Sequence, residues 1–258
     1  MVELDLSATT LILLIVAAFL AGFIDAIAGG GGLLTVPALL SSGLPPHLAL
    51  GTNKLAATFG SITASYTFYK KKLFDPVFWR ISFIATAIGA IVGTVTVYFI
   101  NAEILEKVLP IFIGFSAIYA LFNRVKEDTS TTLPTKSPQL KVKQITQGLT
   151  LGFYDGFAGP GTGAFWTVSN LFLYKVNLLL SSGLARAMNF TSNFFSLLAF
   201  IYLGQVHFAL GISMGLFLML GAYTGAHSAI RFGNKFIRPT FTLVVTVMTI
   251  KLAIDAWS

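Results

Sequence analysis

The chain has 258 residues, of which 55% are hydrophobic and only 10% charged, with a net charge of +7 and a mean hydropathy of +0.80. A soluble domain carries roughly 25% charged residues, so this composition excludes an ordinary water-soluble globule and specifies an integral membrane protein. The absence of cysteine excludes disulfides, thiolate catalysis and cysteine-ligated metals.

Backbone in lipid has to satisfy its own hydrogen bonds, so each long apolar run reads as a helix, and the fold class is all-α and polytopic. In chain order the full-length candidates are 8–28, 46–69, 77–100, 104–124, 144–158, 180–203, 208–231 and 237–257. Two shorter runs, 33–42 and 163–173, each follow a glycine cluster. The architecture is therefore about 8 full spans plus 2 short segments. The start, MVELDLSATT, carries acids where a signal peptide carries bases, so the first run reads as a retained span. Residues 124–143 are hydrophilic, rich in Ser, Thr, Pro and charge, and read as a cytoplasmic linker between a first transmembrane repeat, 1–123, and a second, 144–258.

The halves resemble one another. The run GFIDAIAGGG at 22–31 matches GFYDGFAGPG at 152–161 at a constant offset of 130. Further on, Ala49 to Asn53 matches Ala185 to Asn189, and Gly89 to Gly93 matches Gly221 to Gly225. Charge orients the repeats. Lys70, Lys71, Lys72 and Arg80 flank a loop whose counterpart, Gly204 to His207, has no Lys or Arg. The loop near Glu103, Glu106 and Lys107 has a basic counterpart in Arg231, Lys235 and Arg238, and the linker holds Arg124, Lys126, Lys136, Lys141 and Lys143. With basic loops cytoplasmic, matched loops fall on opposite faces. The duplication is then an inverted repeat with both termini outside. Parity lets 33–42 cross as a short helix or pair with the first helix as a re-entrant hairpin; the short crossing is preferred. Inverted repeats with broken helices are a recurring plan of secondary transporters.

Four ionisable residues lie inside apolar stretches: Asp25, Lys54, Asp155 and Arg186. Such groups cost at least about 2.5–3.5 kcal/mol to insert, so they face a polar cavity or a partner. Asp25 and Asp155 each precede a glycine cluster by four residues. They read either as protonatable coupling groups or as structural carboxylates, in an internal ion pair or capping a neighbouring half-helix. Lys54 follows Asn53, and Arg186 lies three residues before Asn189, on the same helix face. A cation and an amide from each half would surround an anion. The clusters containing Gly30, Gly31 and Gly32, and Gly161, Thr162 and Gly163, break their helices, and a helix restarting there offers free N–H groups and a positive end to an anion. Close packing through small residues is the rival reading, and the preferred one for Gly89, Gly93, Gly221 and Gly225. Thr52, Thr191, Ser192 and Asn193 either line the same cavity or bond to helix carbonyls. The dispersed His47, His207 and His227 support neither a metal site nor a proton relay, and no catalytic constellation or cofactor motif is present. Trp79 and Trp257 read as interfacial anchors.

The run GFIDAIAGGGGLLTVPALLSSGLPPHLALGTNKL, with GFYDGFAGPGTGAFW and ARAMNFTSN, resembles the TauE/SafE family of bacterial membrane permeases over nearly the whole chain. The resemblance implies movement of sulfite, a sulfonate or a related organic anion. The family's motif positions fall on Asp25, Gly29 to Gly32, Thr52, Asn53, Lys54, Asp155, Gly159, Gly161 and Asn189. The expectation is a multi-pass protein of the plasma or inner membrane, not an enzyme, that moves a small anion by proton-coupled alternating access. Its partners would be the anion, protons and the bilayer, with no nucleic acid and no cofactor, and a homodimer is compatible. A passive anion channel is the first alternative and an intramembrane enzyme the second.

Overall fold

The computed structural model describes residues 7–105, 107–109, 111 and 130–233. Eight helices are bounded there: α1 Ala8–Ala28, α2 Gly32–Ser41, α3 Pro46–Lys70, α4 Arg80–Tyr98, α5 Pro138–Phe157, α6 Thr162–Tyr174, α7 Leu178–Tyr202 and α8 Phe208–Phe232. A further helix starts at residue 102, where the expected span 104–124 begins; most of that span, and all of 237–257, lie outside the described residues. No strand occurs among the described residues. Helix α5 starts six residues earlier than the expected 144, inside the hydrophilic segment, because Ser137 caps it (Leu140 N–H to Ser137 Oγ, 3.1 Å) and Pro138 occupies its first position.

Contacts sort the helix ends. The Trp79 and Tyr174 rings pack at a tilt with centroids 4.7 Å apart, Lys136 lies over the Phe78 ring at 5.8 Å, and Leu140 joins Trp79 and Tyr174 in one apolar cluster. The end of α3, the starts of α4 and α5 and the end of α6 therefore share one end, with the start of α7, whose Gly183 abuts the Leu73 carbonyl. Lys70, Lys71, Lys72, Arg80, Lys136, Lys141, Lys143 and Lys175 all belong to this basic end. At the opposite end His47 Nε2 meets the Val97 carbonyl at 3.1 Å, and His207 N–H donates to Thr52 Oγ1 at 2.9 Å. Thus α3 runs toward the basic end, and its sequence counterpart α7 runs away from it. The repeats are antiparallel to one another.

They also interlock. Gly89 and Gly93 of α4 lie against the backbone carbonyls of Leu149 and Phe153 on α5; Gly221 and Gly225 of α8 lie against those of Phe19 and Phe23 on α1. A Cβ at any of the four would sit 2.0–2.4 Å from a carbonyl oxygen. The same contact thus occurs twice with the repeats exchanged, and these glycines are packing residues.

Helices α1 and α2 form a hairpin, as do α5 and α6. Leu14 of α1 and Leu39 of α2 share a cluster with Leu48 and Leu210 near the less basic end, so α2 returns to the end where α1 began. At 1.5 Å per residue α2 spans about 15 Å, half a hydrocarbon core. Its start lies beside the other hairpin's tip, Gly32 against Pro160. The hairpins approach from opposite ends of the bundle and meet tip to tip.

Apolar side chains cover the outside. Leu13 and Val16 of α1, Ile84 and Ile88 of α4, and Leu220 and Tyr223 of α8 are all exposed. Helices α1, α4 and α8 are each long and apolar enough to cross a membrane. A continuous apolar exterior of this kind is solvated by lipid, not water. Trp79, expected as an interfacial anchor, is instead 1% exposed and wedged between Phe78 and Tyr174.

Candidate functional site

The hairpin tips touch through glycine. Gly29 ends α1 at φ +83, and its carbonyl accepts from Ala164 N–H at 3.2 Å. Gly161 starts α6 at φ +80. Both angles lie in the left-handed region that a side chain disfavours. Between the tips and the inner helices α3 and α7 lies a small cavity, with about 20 Å3 open to the centre of a water-sized sphere. That is room for roughly one water.

Of the residues expected at the site, Asp25, Gly31, Gly32, Asn53, Asp155, Gly161, Thr162, Gly163 and Asn189 line this cavity. Gly30, Thr52, Lys54 and Arg186 do not. Thr52 is buried and holds the loop before α8 through His207 N–H. Lys54 Nζ is 2.8 Å from Asp155 Oδ1 and 2.5 Å from the Asp155 carbonyl, with both side chains buried. A buried lysine needs such a partner, because desolvation of an unpaired ammonium costs several kcal/mol. Its charge is answered within the protein, unlike the free cation the sequence suggested. Arg186 turns to α6, donating from Nη2 to the Gly163 carbonyl and Thr167 Oγ1, each at 3.2 Å. It does not share a target with Asn189, which reaches the other way.

The two aspartates differ. Asp155 is 2% exposed, and both its oxygens are engaged: Oδ1 by Lys54 and by Thr162 Oγ1 at 3.0 Å, Oδ2 by Ser192 Oγ in a short hydrogen bond. Asp25 is half-buried on the cavity wall. Its Oδ1 accepts from Gly31 N–H at 3.1 Å and its Oδ2 from Asn189 Nδ2 at 3.1 Å, both neutral donors. The start of α2, expected to receive an anion, is thus met by a carboxylate of its own hairpin, the capping arrangement favoured at a positive helix end. Lys54 and Asp155 form the one ion pair among the described residues. Arg186 acts on Asp25 electrostatically without pairing to it.

Sequence reasoning passed over Thr35, whose Oγ1 donates to Asn53 Oδ1 at 2.5 Å. It gave Ser192 and Asn193 no firm role, yet Ser192 holds Asp155 and Asn193 Nδ2 donates to Asn189 Oδ1 at 3.2 Å. The signal for Asn193 was its place one helical turn beyond Asn189.

A helical bundle with an apolar outside, broken hairpins that meet tip to tip and a small polar cavity between antiparallel halves has the construction of a membrane transporter. The chain belongs to the sulfite exporter TauE/SafE family, whose model matches residues 14–252. It is 37% identical to a "Probable membrane transporter protein" of Haemophilus influenzae, with 98% of each chain covered. It is 38% identical to "Probable membrane transporter protein YfcA" of Escherichia coli K12, over 93% of this chain and 88% of the relative. It is also 34% identical to "Probable membrane transporter protein ORF9" of a Sinorhizobium species, over 97% and 95%. No solved structure matches the chain.

Proposed function

We propose that this protein is a multi-pass secondary transporter of the bacterial plasma membrane. It moves a small anion of the sulfite, sulfonate or related organic-anion class together with a proton. The basic end faces the cytoplasm, as the positive-inside rule requires, and both termini lie outside.

The observation that carries this reading is the unequal pairing of the two aspartates. Lys54 and Asp155 neutralise each other. Arg186 and Asp25 are the remaining charges around the tips, and Asp25 alone of the four both falls short of full burial and is held only by neutral donors. With Asp25 ionised the four groups sum to zero. With Asp25 protonated they sum to +1, and Gly31 N–H and the Asn189 amide lose their anionic acceptor. Both changes favour an incoming anion. Anion and proton then occupy the site together, and neither is stable there alone, since an uncompensated charge in low dielectric is costly. A cavity with room for only about one water supports a carrier over an open pore. Separation of the tips toward one end and then the other gives alternating access.

Reconstitution into proteoliposomes tests the coupling. An inward proton gradient should drive accumulation of sulfite or a small sulfonate by the parent protein. In Asp25→Asn it should not, while gradient-independent exchange of the anion persists. Accumulation by Asp25→Asn that still follows the proton gradient would remove Asp25 from the coupling role.

A further inference from the structure

The second repeat carries a buried polar column that the first repeat lacks. From Arg186 the chain of bonds runs through Thr167, whose carbonyl accepts from Ser181 Oγ at 2.6 Å. Asn170 Nδ2 donates to the Ser181 carbonyl at 3.1 Å, and Gln147 Nε2 to Asn170 Oδ1 at 2.8 Å. Tyr174 Oη then donates to Gln147 Oε1 at 2.7 Å, at the basic end, where Lys143 Nζ bonds the Leu173 carbonyl at 3.0 Å. Arg186, Asn170 and Ser181 are fully buried, and Gln147 is 5% exposed.

The column is not saturated. Arg186 Nε and Nη1, Ser182 Oγ and Gln144 Nε2 are buried without a hydrogen-bond partner among the described residues. Unmet buried donors cost about 1–3 kcal/mol each, so each calls for a partner, such as water or a ligand, that the surrounding protein groups do not supply. The column holds a guanidinium, amides and hydroxyls, and no carboxylate. Its one formal charge, on Arg186, is positive, and its amides and hydroxyls can turn donors toward an anion.

The duplicated positions give the contrast. Where the second repeat has Gln144, Gln147, Asn170 and Arg186, the first has Leu14, Ala17, Leu40 and Leu50. Leu14 belongs to a close-packed apolar cluster with Leu40 packed against it. Equivalent places in one fold are thus polar toward the basic end and sealed with leucine toward the other. Packing alone does not demand the polar version, because the first repeat builds the same hairpin without it.

We propose that the polar column is the anion's route between the tip cavity and the basic end, with Arg186 as the station next to the cavity, and that the leucine-lined counterpart is a dry seal on the opposite side. The inference rests on the transport reading above. It adds that the two gates differ in chemistry: hydrogen bonds close one, apolar contact the other.

The lack of native cysteine makes the test direct. Ser181→Cys and Gln147→Cys on the column, and Ala17→Cys at its counterpart, are placed singly in the full chain in membrane vesicles. Each is exposed from either face to membrane-impermeant anionic and cationic methanethiosulfonates. The expected result is labelling of the column positions from the basic end, at least tenfold faster with the anionic reagent, and no anionic preference at position 17. Column cysteines that stay unreactive from the basic end, or that react equally with both reagents, would overturn the proposal. In a second arm, the combined replacement Gln147→Ala and Asn170→Leu installs the first repeat's residues. It should slow sulfite flux at least tenfold while the thermal shift produced by sulfite is retained; undiminished flux would also overturn the route. If the parent protein moves no sulfite, the transport reading for that anion fails, and the labelling result still decides whether the column is an anion path.

Discussion

A Cβ placed on Gly29 would lie 2.2 Å from the carbonyl carbon of Gly163, and one placed on Gly163 would lie 2.6 Å from the Cα of Gly29. The two hairpins therefore meet backbone to backbone, and no side chain fits at either point. Gly29→Ala has to push the tips apart as well as adopt a left-handed backbone. Gly43 has a similar angle, φ +87, but open space around it. Gly43→Ala should cost about 1 kcal/mol from the backbone alone, whereas Gly29→Ala should cost several times more and abolish transport. Thermal unfolding in detergent, with flux in proteoliposomes, compares them. Equal small losses for both would mean that the tips are not in contact.

Lys54 and Asp155 should behave as a unit. Lys54→Met leaves a buried carboxylate uncompensated and should destabilise by about 3–5 kcal/mol, as should Asp155→Leu for the stranded ammonium. The double replacement should be far milder than the sum. A double-mutant cycle on unfolding measures the coupling, and additive losses would show that the pair contributes little.

Asn189 and Thr52 lie in matched stretches of the two repeats yet should separate in function. Asn189 donates to Asp25 on the cavity wall, so Asn189→Leu should raise the KM for the anion tenfold or more. Thr52 bonds the backbone of His207 away from the cavity, so Thr52→Val should leave KM unchanged and cost about 1 kcal/mol of stability. Flux titrations on both variants check this.

On the proposed mechanism transport should fall as pH rises, because only the protonated form of Asp25 would admit an anion. The sign follows from charge: raising pH removes the proton, restores net neutrality at the tips and returns the carboxylate to Gly31 and Asn189. In Asp25→Asn this dependence should flatten over the same range. A parent protein whose exchange rate is independent of pH at fixed anion charge would contradict the coupling.

Much of this was legible beforehand because it depends on pattern. Gly89, Gly93, Gly221 and Gly225 announced close packing by their four-residue spacing, and each does touch a neighbouring backbone. The helix restarts at Gly32 and Thr162 followed from the glycine runs before them. Side-chain pairing across the repeats was not legible. Lys54 finds Asp155 101 positions away, and Asn189 finds Asp25 164 positions away. A linear motif offers no way to know which buried charge answers which.

By itself the sequence determined that the chain lives in a membrane, that it is a duplication, that its repeats are opposed in charge, and where its helices break. Those properties are local or periodic, set by hydropathy, by glycine and proline, and by lysine and arginine counts in loops. Only the tertiary structure decided that the broken hairpins meet tip to tip, that Lys54 is spent on Asp155 while Asp25 keeps neutral partners, and that Arg186 faces α6. The reason is physical. A buried charge takes its role from the groups within a few ångströms, and here those groups come from distant parts of the chain: Lys54 and Asp25 each find a partner in the other repeat, while Arg186 finds its partners on a neighbouring helix of its own repeat.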